Sequence, residues 1–159
     1  MSRHNGKRAG ATRRTVLVAA GAAALLGPIR PIGSAHAQAT ADYAAAFKKA
    51  TNGAQPTEGK VVIAAAEIAE NGATVPVTVK VDMPITEQSF VKQITLLADG
   101  NPNPDVAVFH LGPRAGRAEV STRVRLAKTE NLVAVAELND GSLWTARKEI
   151  KVTIGGCGG

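Results

Sequence analysis

One stretch of the sequence combines a reactive group with unusual neighbours, and it lies at the C-terminus. Cys157 is the single cysteine of the chain, and the last five residues are Gly155, Gly156, Cys157, Gly158 and Gly159. Glycine gains little from packing and loses much entropy when it is fixed, so this segment predicts a flexible arm that presents a thiol. Two extended glycines reach roughly 7 to 10 Å, which is far enough to carry the sulfur into a pocket of another protein.

The neighbours of Cys157 offer nothing that would activate its thiol. A nucleophilic cysteine needs an adjacent base or cation, and a redox enzyme usually needs a second cysteine. The flanking residues are glycines, and the nearby α-carboxylate disfavours the thiolate. We therefore expect a thiol that becomes reactive in another protein's site. Two alternatives stay open from these residues alone: an interaction module whose cysteine forms an intermolecular disulfide, and a thiol-redox enzyme.

The remaining residues form no pattern typical of a catalytic or metal-binding site. His110 is the one histidine outside the N-terminal 37 residues, and we interpret it as a packing or hydrogen-bonding residue. A structural zinc site takes four ligands, and blue copper takes two histidines and a cysteine, so no metal centre is expected. Glu67, Glu70, Asp99 and Asn101 are interpreted as strand-end and turn residues. We therefore expect no catalytic residue and no tightly bound cofactor.

Residues 1–37 have the composition of an export signal that is removed from the mature protein. Arg13 and Arg14 form the pair of a twin-arginine signal, and Ala35 and Ala37 mark a small-residue cleavage site. The apolar run between them is shorter than the roughly 20 residues of a membrane span. We predict that the mature chain begins near residue 38 and acts in the periplasm, after export in folded form.

Removal of this signal changes the charge of the protein. The whole chain holds 19 Lys and Arg against 13 Asp and Glu, but six of the basic residues and none of the acidic ones lie in residues 1–37. The remaining chain therefore has no formal net charge. The excess of basic residues, which would favour binding to nucleic acid or to an anionic membrane, thus lies in the signal. We expect no nucleic-acid partner and no membrane association after processing.

Residues 38–154 predict one all-β domain that begins with a short helix. The helix is expected over residues 42–50, with Thr40 or Asp42 as its N-cap. Tyr43 and Phe47 lie four residues apart and would share one face, and Gly53 is the expected C-terminal stop. Residues 155–159 would follow the domain as the flexible arm.

About seven short strands are expected after the helix, at the spacing of an antiparallel β-sandwich. Apolar residues alternate with polar ones in several of them, which predicts one buried and one exposed face. Val75, Val77, Val79 and Val81 are the clearest row. Further rows are Val120, Thr122, Val124 and Leu126, and Ile150, Val152 and Ile154. The predicted strands cover residues 60–69, 74–82, 91–98, 105–111, 118–127, 131–138 and 142–154.

Four segments, behind the twin-arginine signal, match the pattern of a known family. They are residues 71–77, 98–104, 116–127 and 152–159, of which the terminal Gly-Gly-Cys-Gly-Gly is the most specific. On these segments the chain resembles SoxY, the sulfur-carrier family of the periplasmic thiosulfate-oxidising Sox system. The resemblance covers essentially the whole chain after residue 37.

The resemblance implies an immunoglobulin-like β-sandwich that pairs with SoxZ, a second small β-sandwich subunit. It also implies that Cys157 carries sulfur intermediates covalently. A haem enzyme, SoxXA, would join thiosulfate to Cys157 as an S-thiosulfonate. A dimanganese hydrolase, SoxB, would then release sulfate and leave a persulfide, and SoxCD, where it is present, would oxidise the outer sulfur. The chain itself would be a substrate-carrier subunit and not an enzyme.

Overall fold

The computed structural model describes residues 34–155, with side chains from Asp42 onward. These residues form one α-helix, nine strands and a 3₁₀ turn at Pro113–Ala115. The elements are α1 Ser34–Ala50, β1 Thr57–Glu58, β2 Val61–Ala65, β3 Ile68–Asn71, β4 Val75–Val81, β5 Val91–Ala98, β6 Asp105–His110, β7 Glu119–Val124, β8 Glu130–Leu138 and β9 Leu143–Ile154.

The strands form two sheets that enclose one core, as the predicted sandwich requires. The larger sheet has the order β1-β9-β8-β5-β6, with β3 also paired to β9, and the smaller sheet has the order β2-β4-β7. This architecture confirms the all-β sandwich expected from the sequence. Two pairings depart from the antiparallel expectation, because the short strands β1 and β3 both run parallel to β9.

The core is built from the alternating rows that the sequence showed. All four valines of the β4 row are at most 2% exposed, and they pack in one cluster with Leu96, Leu132 and Ile150 of the larger sheet. Burial of an aliphatic side chain of this size contributes about 1.5 to 3 kcal/mol to stability. The valine row therefore fixes the smaller sheet on the larger one.

Helix α1 packs on the outer face of the larger sheet. Leu97, Val133 and Val135 point to that face and form a second buried cluster with Ala46 of the helix, against which Tyr43 and Phe47 pack. The two aromatic rings are 5.9 Å apart between centroids, so the predicted shared face is confirmed. The helix explains why β5 and β8 are buried on both faces over much of their length.

The predicted start of this helix is wrong, whereas its end is confirmed. The helix begins at Ser34, so positions 40 and 42 lie within it and do not cap it. The segment before Asp42 is rich in alanine, the best helix former, which extends the helix toward the N-terminus. At the other end, the Gly53 N–H donates to the Lys48 carbonyl at 2.8 Å and φ is +76°.

The single strand predicted over residues 60–69 is in fact two strands in different sheets. β2 pairs with β4 in the smaller sheet, and β3 pairs with β9 in the larger one. Val61, Ile63 and Ala69 are all buried, so the odd-numbered positions face the core on both sides of the break. Because the alternation continues without a change of phase, periodicity alone gives no sign of the crossover.

The count of about seven strands is corrected to nine by this division and by β1, which lies between the predicted helix and the first predicted strand. Within residues 34–155, no helix is both long and apolar enough to span a membrane.

Candidate functional site

Strand β9 leads from the larger sheet to the predicted carrier arm. It pairs with β8 along one side and with β1 and β3 along the other. Ile150 is fully buried, Val152 is half-buried and Ile154 is 66% exposed. The three residues share a strand face as predicted, but the strand leaves the core as it approaches the arm.

Two turns hold the end of β9. The Gly72 N–H donates to the Ile154 carbonyl at 2.7 Å, and the Gly72 carbonyl accepts from the Leu126 N–H at 2.8 Å. The Val152 N–H donates to Oγ1 of Thr129 at 3.0 Å. The strand end is therefore tied to residues 72 and 126–129, which belong to segments far away in the sequence.

Gly155, the first residue of the predicted arm, is half-buried and lies against the Ala127 carbonyl. A Cβ at this position would overlap the carbonyl oxygen of Ala127. The arm that was predicted to be flexible over residues 155–159 therefore contacts the sandwich at its first residue. Cys157, with Gly156, Gly158 and Gly159, lies outside the described residues.

Ala127 is itself held by what we call the buried network, which consists of Gly100, Asn101, Ala127 and Glu130. The Ala127 N–H donates to Oδ1 of Asn101 at 2.8 Å and to Oε1 of Glu130 at 2.9 Å. Nδ2 of Asn101 donates to the Arg125 carbonyl at 2.8 Å, and the Gly100 N–H donates to Oε2 of Glu130 at 2.7 Å. Asn101 is 7% exposed and Glu130 is 4% exposed.

The carboxylate of Glu130 is in an unusual environment. Burial raises its pKa above the ordinary value, and the N–H donors of Gly100, Ala127 and Lys128 oppose part of that rise. The nearby Asp99 charge adds a smaller increase. A buried carboxylate is costly unless it is hydrogen-bonded, and here its two oxygens each accept a backbone N–H.

The buried network also corrects the end of a predicted strand. Strand β7 ends at Val124 and not at residue 127. The side-chain amide of Asn101 bonds both Arg125 and Ala127, so it takes the place of a neighbouring strand there. Asn101 is thus more than the turn residue that the sequence predicted. No sequence signal marks Glu130, because an acidic residue at the start of a strand is ordinary.

The other residues noted from the sequence lie outside the buried network. Asp99 accepts hydrogen bonds from the backbone and side chain of Asn131, and Glu67 and Glu70 are exposed near the ends of β3. His110 is exposed at the end of β6, so the packing role considered for it is wrong, whereas its hydrogen-bonding role stays a prediction.

The predicted export residues are placed only in part. The backbone of Ala35 and Ala37 lies within α1, and Arg13 and Arg14 lie outside the described residues. The cleavage site and the boundaries 1–37, 38–154 and 155–159 therefore stay predictions.

The part of the chain that the structure describes shows no metal site and has surface depressions on its sheets. No group of three or more His, Cys, Asp or Glu side chains in residues 34–155 is placed to hold a metal ion. A surface depression with a volume of about 670 Å³ lies on β2, β4 and β7. Its lining residues are Ala64, Pro76, Val77, Thr78, Ser121, Thr122 and Arg123.

Comparison with protein families gives a match over most of the chain. The model of "Sulfur oxidation protein SoxY" matches residues 46–157, so the match ends at Cys157. The chain belongs to the SoxY family. A solved structure agrees: the sulfur carrier protein SoxY from Chlorobium limicola f thiosulfatophilum is 41% identical, with a TM-score of 0.58. That alignment covers 72% of this SoxY-family chain and 98% of the other, and it confirms the family resemblance and the fold.

The fold is also found in proteins of a different name. A superoxide reductase (neelaredoxin) from Ignicoccus hospitalis is 29% identical with a TM-score of 0.52, and the alignment covers 59% of this SoxY-family chain and 80% of the reductase. A superoxide reductase from Nanoarchaeum equitans is 15% identical with a TM-score of 0.51, covering 61% and 100%, and shows the fold alone. The search of curated proteins gave no match.

Proposed function

We propose that this protein carries sulfur intermediates covalently on Cys157 during the oxidation of thiosulfate to sulfate. The observation that carries the proposal is the family match, which runs through the sandwich and ends at the single cysteine of the chain. The structure supports it by placing the end of β9, three residues before Cys157, at the surface of the sandwich. The thiol is thus attached to a stable platform by a short segment.

The chemistry of such a carrier needs a thiol and partner enzymes. In the first step the Cys157 thiol and thiosulfate form a sulfur–sulfur bond, and one proton and two electrons leave to the haem enzyme SoxXA. In the second step SoxB adds water, which releases sulfate and leaves a persulfide on Cys157. SoxCD, where it is present, oxidises the outer sulfur. In this scheme the chain supplies the attachment site, and the partners supply the catalysis.

We propose SoxZ as the permanent partner, in a heterodimer. The residues Gly156, Gly158 and Gly159 add no side chain beside the sulfur, so only backbone enters a narrow channel behind it. A short arm that visits several enzymes must bind each of them weakly, which suits a segment that gains little from packing.

We propose further that the protein works in the periplasm. Residues 1–37 would direct the folded chain through the twin-arginine pathway and would then be removed after Ala37. A partner without its own signal would leave the cytoplasm bound to the folded sandwich.

The substitution Cys157→Ser tests the carrier function. The serine variant should fold and be exported as the wild type is, because Cys157 lies beyond the last strand, but it should form no sulfur adduct and should not support growth on thiosulfate. The matched control is Thr153→Ser, an exposed change on β9 that keeps the thiol. Growth of the Cys157→Ser strain on thiosulfate at the wild-type rate would refute the proposal.

A further inference from the structure

Position 155 requires glycine for close packing, and not for the flexibility that a linker needs. Its φ is not among the positive values found at Gly53, Gly59, Gly116 and Gly141, so its backbone conformation does not itself demand glycine. What excludes a side chain is contact, because a Cβ would meet the carbonyl oxygen of Ala127. Glycine here permits a close approach of two backbone segments.

The segment that Gly155 approaches is held from several sides. The Ala127 N–H is shared by two buried acceptors, Asn101 and Glu130. The preceding residue, Leu126, is fully buried in the core, and its N–H donates to Gly72. Displacement of the Ala127 carbonyl would disrupt these hydrogen bonds and the packing of Leu126. The carbonyl therefore limits where the chain can lie as it leaves β9.

We propose that Gly155 anchors the arm on Ala127, and that Asn101 and Glu130 are positioning residues that fix the point from which residues 156–159 leave the sandwich. The inference rests on the proposed carrier function for its biological meaning, but its geometry does not depend on sulfur chemistry. Cys157 then starts two residues from a fixed point, which holds its Cα within roughly 7 Å of Gly155.

The single native cysteine allows a direct test. A nitroxide attached to Cys157 of the full-length mature protein broadens the NMR signals of backbone amides that lie near it. In the wild type we expect the broadening to concentrate on residues 72 and 126–129 and on the end of β9. Gly155→Ala should shift the strongest broadening away from residues 126–129, because the added Cβ separates the arm from Ala127. Gly156→Ala makes the same chemical change one residue later and should preserve the pattern.

A second comparison separates positioning from general stability. Glu130→Gln removes one acceptor of the buried network and should alter the broadening in the same sense as Gly155→Ala. Val79→Ala creates a cavity in the remote core, where Val79 is fully buried, and should lower stability without changing the pattern. The Gly155→Ala result decides the anchor even if Glu130→Gln fails to fold.

The proposal is overturned if the wild-type broadening is spread evenly, or if Gly155→Ala leaves it unchanged. The role of Glu130 is overturned if a folded Glu130→Gln variant keeps the wild-type pattern, or if Val79→Ala changes the pattern equally. None of these outcomes bears on sulfur loading, which is measured separately by adduct mass. Failure of the anchor and failure of the carrier function are thus distinguishable.

Discussion

The carboxylate of Glu130 gives a prediction whose size and pH dependence both follow from the structure. Glu130→Gln keeps the shape of the side chain but replaces one acceptor oxygen by an amide nitrogen that can only donate. The Ala127 N–H retains Asn101 as an acceptor at 2.8 Å, so we expect the glutamine oxygen to face the Gly100 N–H. The variant then loses one hydrogen bond, which is worth about 1.5 to 3 kcal/mol when the acceptor is charged and about 0.5 to 1.5 kcal/mol when it is neutral.

At neutral pH the stability that Glu130→Gln loses should be smaller than the value for a hydrogen bond to a charged acceptor. Burial penalises the ionised carboxylate and raises its pKa above 4.5, and glutamine does not carry this penalty. Below about pH 4.5 the wild-type group is protonated in both the folded and unfolded states, so the penalty is absent. As the pH rises from there through the raised folded pKa, the unfolded state ionises first and the wild type loses stability. Above the folded pKa the difference levels off.

The assay is urea unfolding of both proteins from about pH 4 to about pH 8, with stability taken from the linear dependence on urea. The advantage of the wild type over Glu130→Gln should be largest at the acid end and should shrink with rising pH. Glu87→Gln, a change at an exposed carboxylate, is the control and should show no such trend. An advantage that grows with pH would show that the folded protein lowers the pKa of Glu130, and the reasoning would be refuted.

Two further predictions concern the same network and the export signal. Gly100→Ala should destabilise the protein by about 1 to 3 kcal/mol, because its Cβ would lie 2.8 Å from Oε2 of Glu130 and from Cε of Lys128. Gly112→Ala, where a Cβ meets nothing within 4 Å, should leave the urea midpoint nearly unchanged, and equal effects of the two alanines would contradict the packing argument. Replacement of both Arg13 and Arg14 by lysine should trap the precursor in the cytoplasm, as cell fractionation would show, and normal export would rule out the twin-arginine pathway.

The parts of the fold that could be predicted are those where local pattern and burial coincide. The valine row of β4 is such a case, since each buried position is separated by one exposed or half-buried residue. The end of α1 was also predictable from a local signal, because Gly53 adopts a positive φ that favours glycine. Strand pairing was not predictable in this way. The division between β2 and β3 leaves the alternation intact, and only the change of partner from β4 to β9 reveals it.

The candidate site likewise has one part that follows from a local pattern and one part that depends on contacts between distant residues. The reactive residue could be found from the sequence, because a single cysteine between glycines is a local pattern. The buried network could not, since Asn101 and Ala127 are 26 residues apart, and Gly100 and Glu130 are 30 residues apart. Each of these residues is ordinary in its own segment. Only the folded sandwich brings them together beside Gly155 and shows that one glycine of the arm has a packing role.

The central claim is tested most directly by intact mass spectrometry of the mature protein, isolated without reductant from cells grown on thiosulfate, followed by mapping of the C-terminal peptide. The account predicts sulfur or thiosulfonate adducts on Cys157 that dithiothreitol removes. A bare thiol, or only a disulfide between two copies of the chain, in cells that contain the partner enzymes would contradict the carrier function and favour an interaction module.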